Sequence, residues 1–256
     1  MNHTRLATAA VLALALLALG AASAPQARPA APLTVLAASS LTTVFPQIDK
    51  ATRYSFAGSD TLAAQIKLGA PADVFAAASS SIPDKLYAQG LVEKPVVFTT
   101  NKLVLVTPAS NPAGITSVFD LRRPGIKLVI GTPTVPIGAY TRTILRNLAL
   151  TSVLSNVVSQ ETDVRSILGK VALGEADAGF VYLTDASTVA GKVNVIRLPA
   201  WAQPPVRYEI AVVKSTGNRA AAVAFVNKVL SKAGQAKLRA AGFGAVKHGV
   251  TRYVGG

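Results

Sequence analysis

The sequence predicts an α/β protein of two lobes, each a mixed, mostly parallel sheet with helices on both faces. Three observations carry this expectation. Short apolar strands alternate with amphipathic helices along nearly the whole chain, the pattern of parallel sheets covered on both sides. Half of the 256 residues are apolar, enough for a large core, and no repeat or low-complexity tract interrupts the alternation. Two proline-bearing breaks, Pro108-Ala109-Ser110-Asn111-Pro112 and Pro204-Pro205, each adjoin a strand and bracket residues 108–206. That stretch reads as a second lobe inserted into the first and joined to it by a two-strand hinge. The expected division is residues 31–107 plus 207–256 for lobe one and 108–206 for lobe two.

The elements follow in order. Residues 33–38 (LTVLAA) form a buried strand, after which Leu41, Val44, Phe45 and Ile48 recur at helical spacing. Pro46 tolerates only a helix start, so this helix is expected to begin near Thr42 or Thr43, leaving Ser39 and Ser40 in the strand-to-helix turn. Residues 54–56 alternate as a second strand, and Leu62, Ala63 and Ile66 form the face of a helix ended by Gly69 and Pro71. Further strands are expected at 73–77, 102–107, 126–131, 178–182, 193–197 and 207–213. Further helices lie at 83–89, on Tyr140, Ile144, Leu145 and Leu148, on Val164, Ile167, Leu168 and Val171, and over most of 220–241.

The amino end has a different purpose. A short positive start with Arg5, an apolar run over residues 7–19 and the small residues Ala21-Ala22-Ser23-Ala24 make residues 1–24 a secretory signal peptide. The apolar run falls short of the roughly 20 residues that span a bilayer. The mature chain is therefore expected to be exported to the periplasm. It has no cysteine, which excludes disulfides, thiolate catalysis, Cys-ligated metals and a lipid-tethered amino terminus. Without Arg5 the chain has 25 basic and 12 acidic residues, a charge near +13. That balance suits an anionic ligand or surface. The basic residues are scattered and lack interleaved aromatics, so no nucleic-acid partner is expected.

In open α/β sheets ligands bind beyond the carboxyl ends of strands, where helix amino termini present free N–H groups and partial positive charge. Ser39-Ser40, Gly58-Ser59 and Pro136-Ile137-Gly138 all fall at such turns. Serine adds a hydroxyl donor, and glycine lets backbone and ligand approach closely. Taken singly, each turn reads more simply as an ordinary helix cap.

Their combination resembles the periplasmic molybdate-binding proteins of ABC transporters, type II periplasmic binding proteins. The resemblance is carried by AASSLTTVF (37–45), SFAGSDTLAAQIKLGAPADVF (55–75), KLVLVTP (102–108), VPIGAYT (135–141), TDVRSIL (162–168), AGFVYLTDA (178–186) and the closing Gly242-Phe243. It implies a monomeric solute-binding protein that captures molybdate, and tungstate, in an inter-lobe cleft and delivers it to a membrane ABC permease. It further implies that Ser40 and Ser59 give hydroxyls and amides to the oxyanion, Ile137 and Val164 give backbone amides, and Tyr182 gives its hydroxyl. No cofactor is implied, and no side chain coordinates metal directly, since the molybdenum arrives as its oxyanion. The chain departs from the family's pattern in a shorter stretch between Ser40 and Phe56 and in a bulky Ile137 where alanine is frequent.

The alternatives are a binding protein for another tetrahedral oxyanion, such as sulfate or phosphate, and, from another class, a secreted hydrolase. A lining of donors alone favours a fully ionised oxyanion, because a protonated one brings a donor that meets no acceptor. Arg165 is the one residue near these loops suited to pairing with a carboxylate ligand. For the hydrolase, G-x-S-x-G, S-x-x-K, H-E-x-x-H and P-loop patterns are all missing. The mature chain retains one histidine, His248, so no enzyme activity is expected. Asp163, Asp177 and Asp185 read as caps or turns. With no histidine near the proposed pocket, affinity is expected to stay flat between pH 6 and 8.

Overall fold

The structure, a computed structural model, describes residues 32–246 and 252–254; the signal peptide and His248 lie outside the described residues. The first half holds β1 (Thr34–Ala38), α1 (Phe45–Ile48), β2 (Arg53–Ala57), α2 (Ser59–Lys67), β3 (Val74–Ala77), α3 (Ser81–Ala88) and β4 (Val96–Asn101). Next come β5 (Leu103–Pro108), β6 (Leu128–Gly131), α4 (Pro136–Asn147), β7 (Val157–Glu161), α5 (Val164–Ala172), β8 (Ala178–Tyr182), α6 (Leu183–Ser187) and β9 (Val193–Arg197). The chain closes with β10 (Val206–Val212), α7 (Arg219–Leu230) and α8 (Lys232–Ala240).

These strands make two five-stranded sheets, ordered β2-β1-β3-β10-β4 and β7-β6-β8-β5-β9. In the first, β1 pairs in parallel with β2 and β3, and β10 runs antiparallel to β3 and β4. In the second, β6 pairs in parallel with β7 and β8, and β5 runs antiparallel to β8 and β9. Each sheet therefore has one reversed strand, in the same place, and that strand has just crossed from the other lobe. The two-lobed α/β fold expected from the alternation is the one the chain adopts.

The lobe boundary differs from the one read off the prolines. Leu103 pairs with Tyr182 and Val106 with Gly179, which places β5 in the second sheet. The first crossing thus falls at Asn101-Lys102, and Pro108 ends β5 instead of opening the lobe. A strand that passes straight from one sheet to the next needs no turn, so no glycine or proline marks the place. The second crossing runs through Gln203-Pro204-Pro205, as expected. The Gln203 side chain ties the two together: it accepts from the Leu103 N–H (3.1 Å) and donates to the Leu103 carbonyl (2.7 Å).

Alternation along the strands fills both faces of the first sheet. Val35, Ala37, Val74, Ala76, Ile210 and Val212 join a core that continues into the second lobe, while Leu36, Phe75 and Ala211 join Leu62, Ile66 and Leu86 under α2 and α3. Three local differences from expectation have local causes. Ser39–Leu41 forms a 3-10 turn, so the next helix starts at Phe45, with Pro46 in its first turn where no N–H is needed. Residues 220–241 divide at Ser231, whose extended backbone ends α7 and whose Oγ accepts from the Gly234 N–H at 3.1 Å to cap α8. The edge strands β4 and β7 are additional to the strands expected.

Candidate oxyanion site

The carboxyl ends of β1, β2 and β3 face those of β6, β7 and β8 across a small cleft. Ser40, Ser59, Ile137, Val164 and Tyr182 all line it, together with Gly58, Asp163 and others. The five residues singled out in the sequence, spread over more than half the chain, are thus brought to one place. Ser40 lies in the 3-10 turn after β1, and Ser59 is the first residue of α2. Ile137 and Val164 open α4 and α5, and Tyr182 ends β8 and caps α6. The first amides of a helix have no acceptor within it, so the starts of α2, α4 and α5 bring N–H groups and positive dipole ends to the cleft, two of those at α5 being capped by Asp163. Ile137 and Val164 are buried, 1% and 3% exposed, and pack into the main core.

The hydroxyls are arranged so that their protons remain to be given. Ser59 Oγ accepts from the Ala78 N–H at 3.1 Å. Ser40 Oγ lies 2.9 Å from the Tyr208 hydroxyl, which in turn accepts from Asn101 Nδ2 at 3.4 Å. With Asn101 donating to Tyr208 and Tyr208 to Ser40, the Ser40 proton is free, and each bond polarises the next. The Tyr182 hydroxyl is buried and has no hydrogen-bond partner among the described residues. Burial pushes the hydroxyls of Tyr182 and Tyr208 well above the ordinary tyrosine range, so both stay protonated donors. The two rings pack edge to face with centroids 5.7 Å apart.

Negative charge near the cleft is spoken for. Asp163 caps α5, as expected, accepting from the Arg165 and Ser166 N–H groups at 2.7 and 3.2 Å and from Ser166 Oγ at 2.7 Å. Asp60 sits in the first turn of α2, accepting from the Thr61 N–H at 2.9 Å and from the Thr134 hydroxyl of the other lobe at 2.6 Å. Asp177 accepts from the Lys127 N–H at 2.8 Å at the entry to β6.

Asp185 departs from the cap-or-turn expectation. It is 1% exposed, and its nearest cation is Arg165, with Nε 3.0 Å from Oδ1. Burial raises its carboxyl from 3.8 to about 7, against the pull of Arg165. The expectation of pH-flat binding rested on the lack of a histidine near the pocket; Asp185 is a carboxyl whose titration burial moves toward neutral pH. Arg165 is therefore engaged within the protein and not left to meet a carboxylate ligand.

Gly58 answers to a close approach between lobes. A Cβ there would fall on the Thr162 carbonyl oxygen, with Asp60 Oδ1 at 2.9 Å and the Thr162 carbonyl carbon at 3.3 Å. Gly138, in the first turn of α4, is packed as tightly against the backbone of Gly131 and Thr132. Tyr208 and Asp185 were not marked as site residues in the sequence, because their links to Ser40 and Arg165 are tertiary contacts.

Residues 33–244 match the family model described as bacterial extracellular solute-binding protein. The molybdate-binding protein ModA of Mycobacterium tuberculosis is 40% identical over 250 residues, covering 91% of this chain and 94% of that protein. The chain belongs to the ModA family of bacterial extracellular solute-binding proteins. Among solved structures, the periplasmic molybdate-binding protein of Azotobacter vinelandii matches with a TM-score of 0.75 at 26% identity, over 84% of this chain and all of that one. The sulfate-binding protein SubI of M. tuberculosis matches with a TM-score of 0.71 at 19% identity, over 85% of this chain and 88% of that one. The latter likeness is one of fold alone.

Proposed function

We propose that this protein captures molybdate, and tungstate, between its lobes and hands it to the permease of an ABC transporter. Ser40, Ser59 and Tyr182 supply hydroxyl protons, and the helix starts at Ile137 and Val164 supply amides. The observation that carries the reading is the donor-only character of the lining. Ser59 Oγ already accepts from the Ala78 N–H, Ser40 Oγ shares a hydrogen bond with the Tyr208 hydroxyl, the Tyr182 hydroxyl has no partner among the described residues, and the carboxylates at the rim are committed elsewhere. Such a cage holds a fully ionised tetrahedral oxyanion by oriented dipoles, each charge-assisted bond contributing about 1.5–3 kcal/mol. Hydrogen phosphate brings a proton that finds no acceptor.

Capture proceeds by closure of the lobes about the crossings at Asn101-Lys102 and Gln203-Pro204-Pro205. The basic surface speeds the approach of the anion at low salt. The protein acts outside the cytoplasm after removal of its amino-terminal signal, and as a monomer. Titration calorimetry with molybdate, tungstate, sulfate and phosphate tests the reading. Tight binding of the first two alone is expected; sulfate binding of comparable strength overturns it.

A further inference from the structure

Arg165 follows Val164 directly and spans the two lobes. Its Nη2 donates to Thr43 Oγ1 of the first lobe at 2.8 Å, and its Nη1 donates to Thr188 Oγ1 of the second at 3.2 Å. Its Nε lies 3.0 Å from the buried carboxylate of Asp185. Neither Asp185 oxygen has a hydrogen-bond partner among the described residues, so charge attraction to Arg165 is what compensates this carboxylate. Arg165 and two of its partners stand close in the chain to residues of the cleft: Thr43 is three residues past Ser40, Asp185 three past Tyr182, and Arg165 one past Val164. Thr43 and Arg165 also border an open hollow. The Arg165 side chain is 30% exposed with its Nε buried, and these polar partners hold its guanidinium at the edge of that hollow.

We propose that Arg165 is a positioning residue for the oxyanion site, a cross-lobe latch that Asp185 aims and Thr43 receives. The guanidinium fork suits this task because it can serve both lobes at once, which a single ammonium cannot. When the lobes meet, the Thr43 bond holds the first turn of α5, and with it the Val164 amide, against the turn that bears Ser40. Loss of the bond then acts mainly on release, since it removes a contact made after encounter. The proposal rests on the oxyanion reading above.

The test is molybdate titration and stopped-flow release with the mature chain and three variants. Thr43 is exposed, so Thr43→Val removes the hydroxyl while leaving the unfolding temperature unchanged. It is expected to weaken binding and speed release by roughly tenfold. Thr43→Ser, which keeps the hydroxyl, is expected to bind as the parent does. Arg165→Lys keeps the cation beside Asp185 but loses the fork; it should lose about as much as Thr43→Val, and the two together should lose no more. A Thr43→Val protein with the parent's affinity and release rate overturns the latch, as do losses that simply add. A parent that fails to bind molybdate overturns the site reading and the latch with it.

Discussion

Replacing Gly58 by alanine separates the approach of the two lobes from the stability of either. Gly58 has φ −60° and ψ 141°, a conformation open to any residue, so alanine brings no backbone strain. The conflict is purely one of space: the added methyl would fall on the Thr162 carbonyl, in the turn between β7 and α5. Relieving it requires the turns that carry Ser59 and Val164 to part by about 1 Å. Overpacking of this kind costs about 1–3 kcal/mol, which in a contact made across the cleft appears as molybdate affinity weakened by roughly 5- to 150-fold. The unliganded protein should melt at the parent's temperature or slightly above it, because alanine restricts the unfolded chain. Calorimetric titration together with ligand-free thermal melts measures both quantities. An alanine variant with the parent's affinity refutes the reasoning, since the two turns would then not meet around the bound ion. Lost stability with unchanged affinity would make Gly58 a packing residue only.

The hydroxyls should divide by what else they hold. Tyr182→Phe removes a hydroxyl with no protein partner, so it should weaken molybdate binding by about 1–3 kcal/mol at unchanged stability, whereas Ser59→Ala also strands the Ala78 N–H and should lower the melting temperature as well; equal melting temperatures for the two variants contradict this. Asp185 should make stability depend on pH. Its carboxyl titrates at 3.8 unfolded and at about 7 in the fold, so the fold binds this proton more tightly and loses stability as pH rises from 3.8 to 7, fully so above 7. Denaturant titrations at pH 4 and pH 8 should show Asp185→Asn gaining on the parent as pH rises, and a difference that stays constant with pH refutes the assignment.

What could be read from the sequence was what is local. The strand β1, the helices α2 and α5, and the turns holding Ser40, Ser59, Ile137 and Val164 announce themselves because apolar spacing and helix starts are set within a few residues. The strand β7 was missed because it lies at a sheet edge with Val158 58% exposed, so burial imposes little pattern on it. The crossing at Asn101-Lys102 was missed because it is not a turn. Partnerships across the chain were the least legible. Ser40 meets Tyr208 from 168 residues away and Arg165 meets Thr43 from 122, and nothing local to either member marks the other.

The order of strands in the first sheet has a consequence for how the molecule comes into being. Among the described residues, β4 finds its only neighbouring strand in β10, which is made about a hundred residues later. The sheet of β5 to β9, by contrast, is contiguous in the chain. During synthesis or passage across a membrane, the later-made lobe can therefore complete its sheet while the earlier one still waits with an unpaired edge. Only when residues 206–212 slot between β3 and β4 does the first lobe close, so a nascent chain stopped short of them should stay protease-sensitive upstream of residue 102 and resistant beyond it.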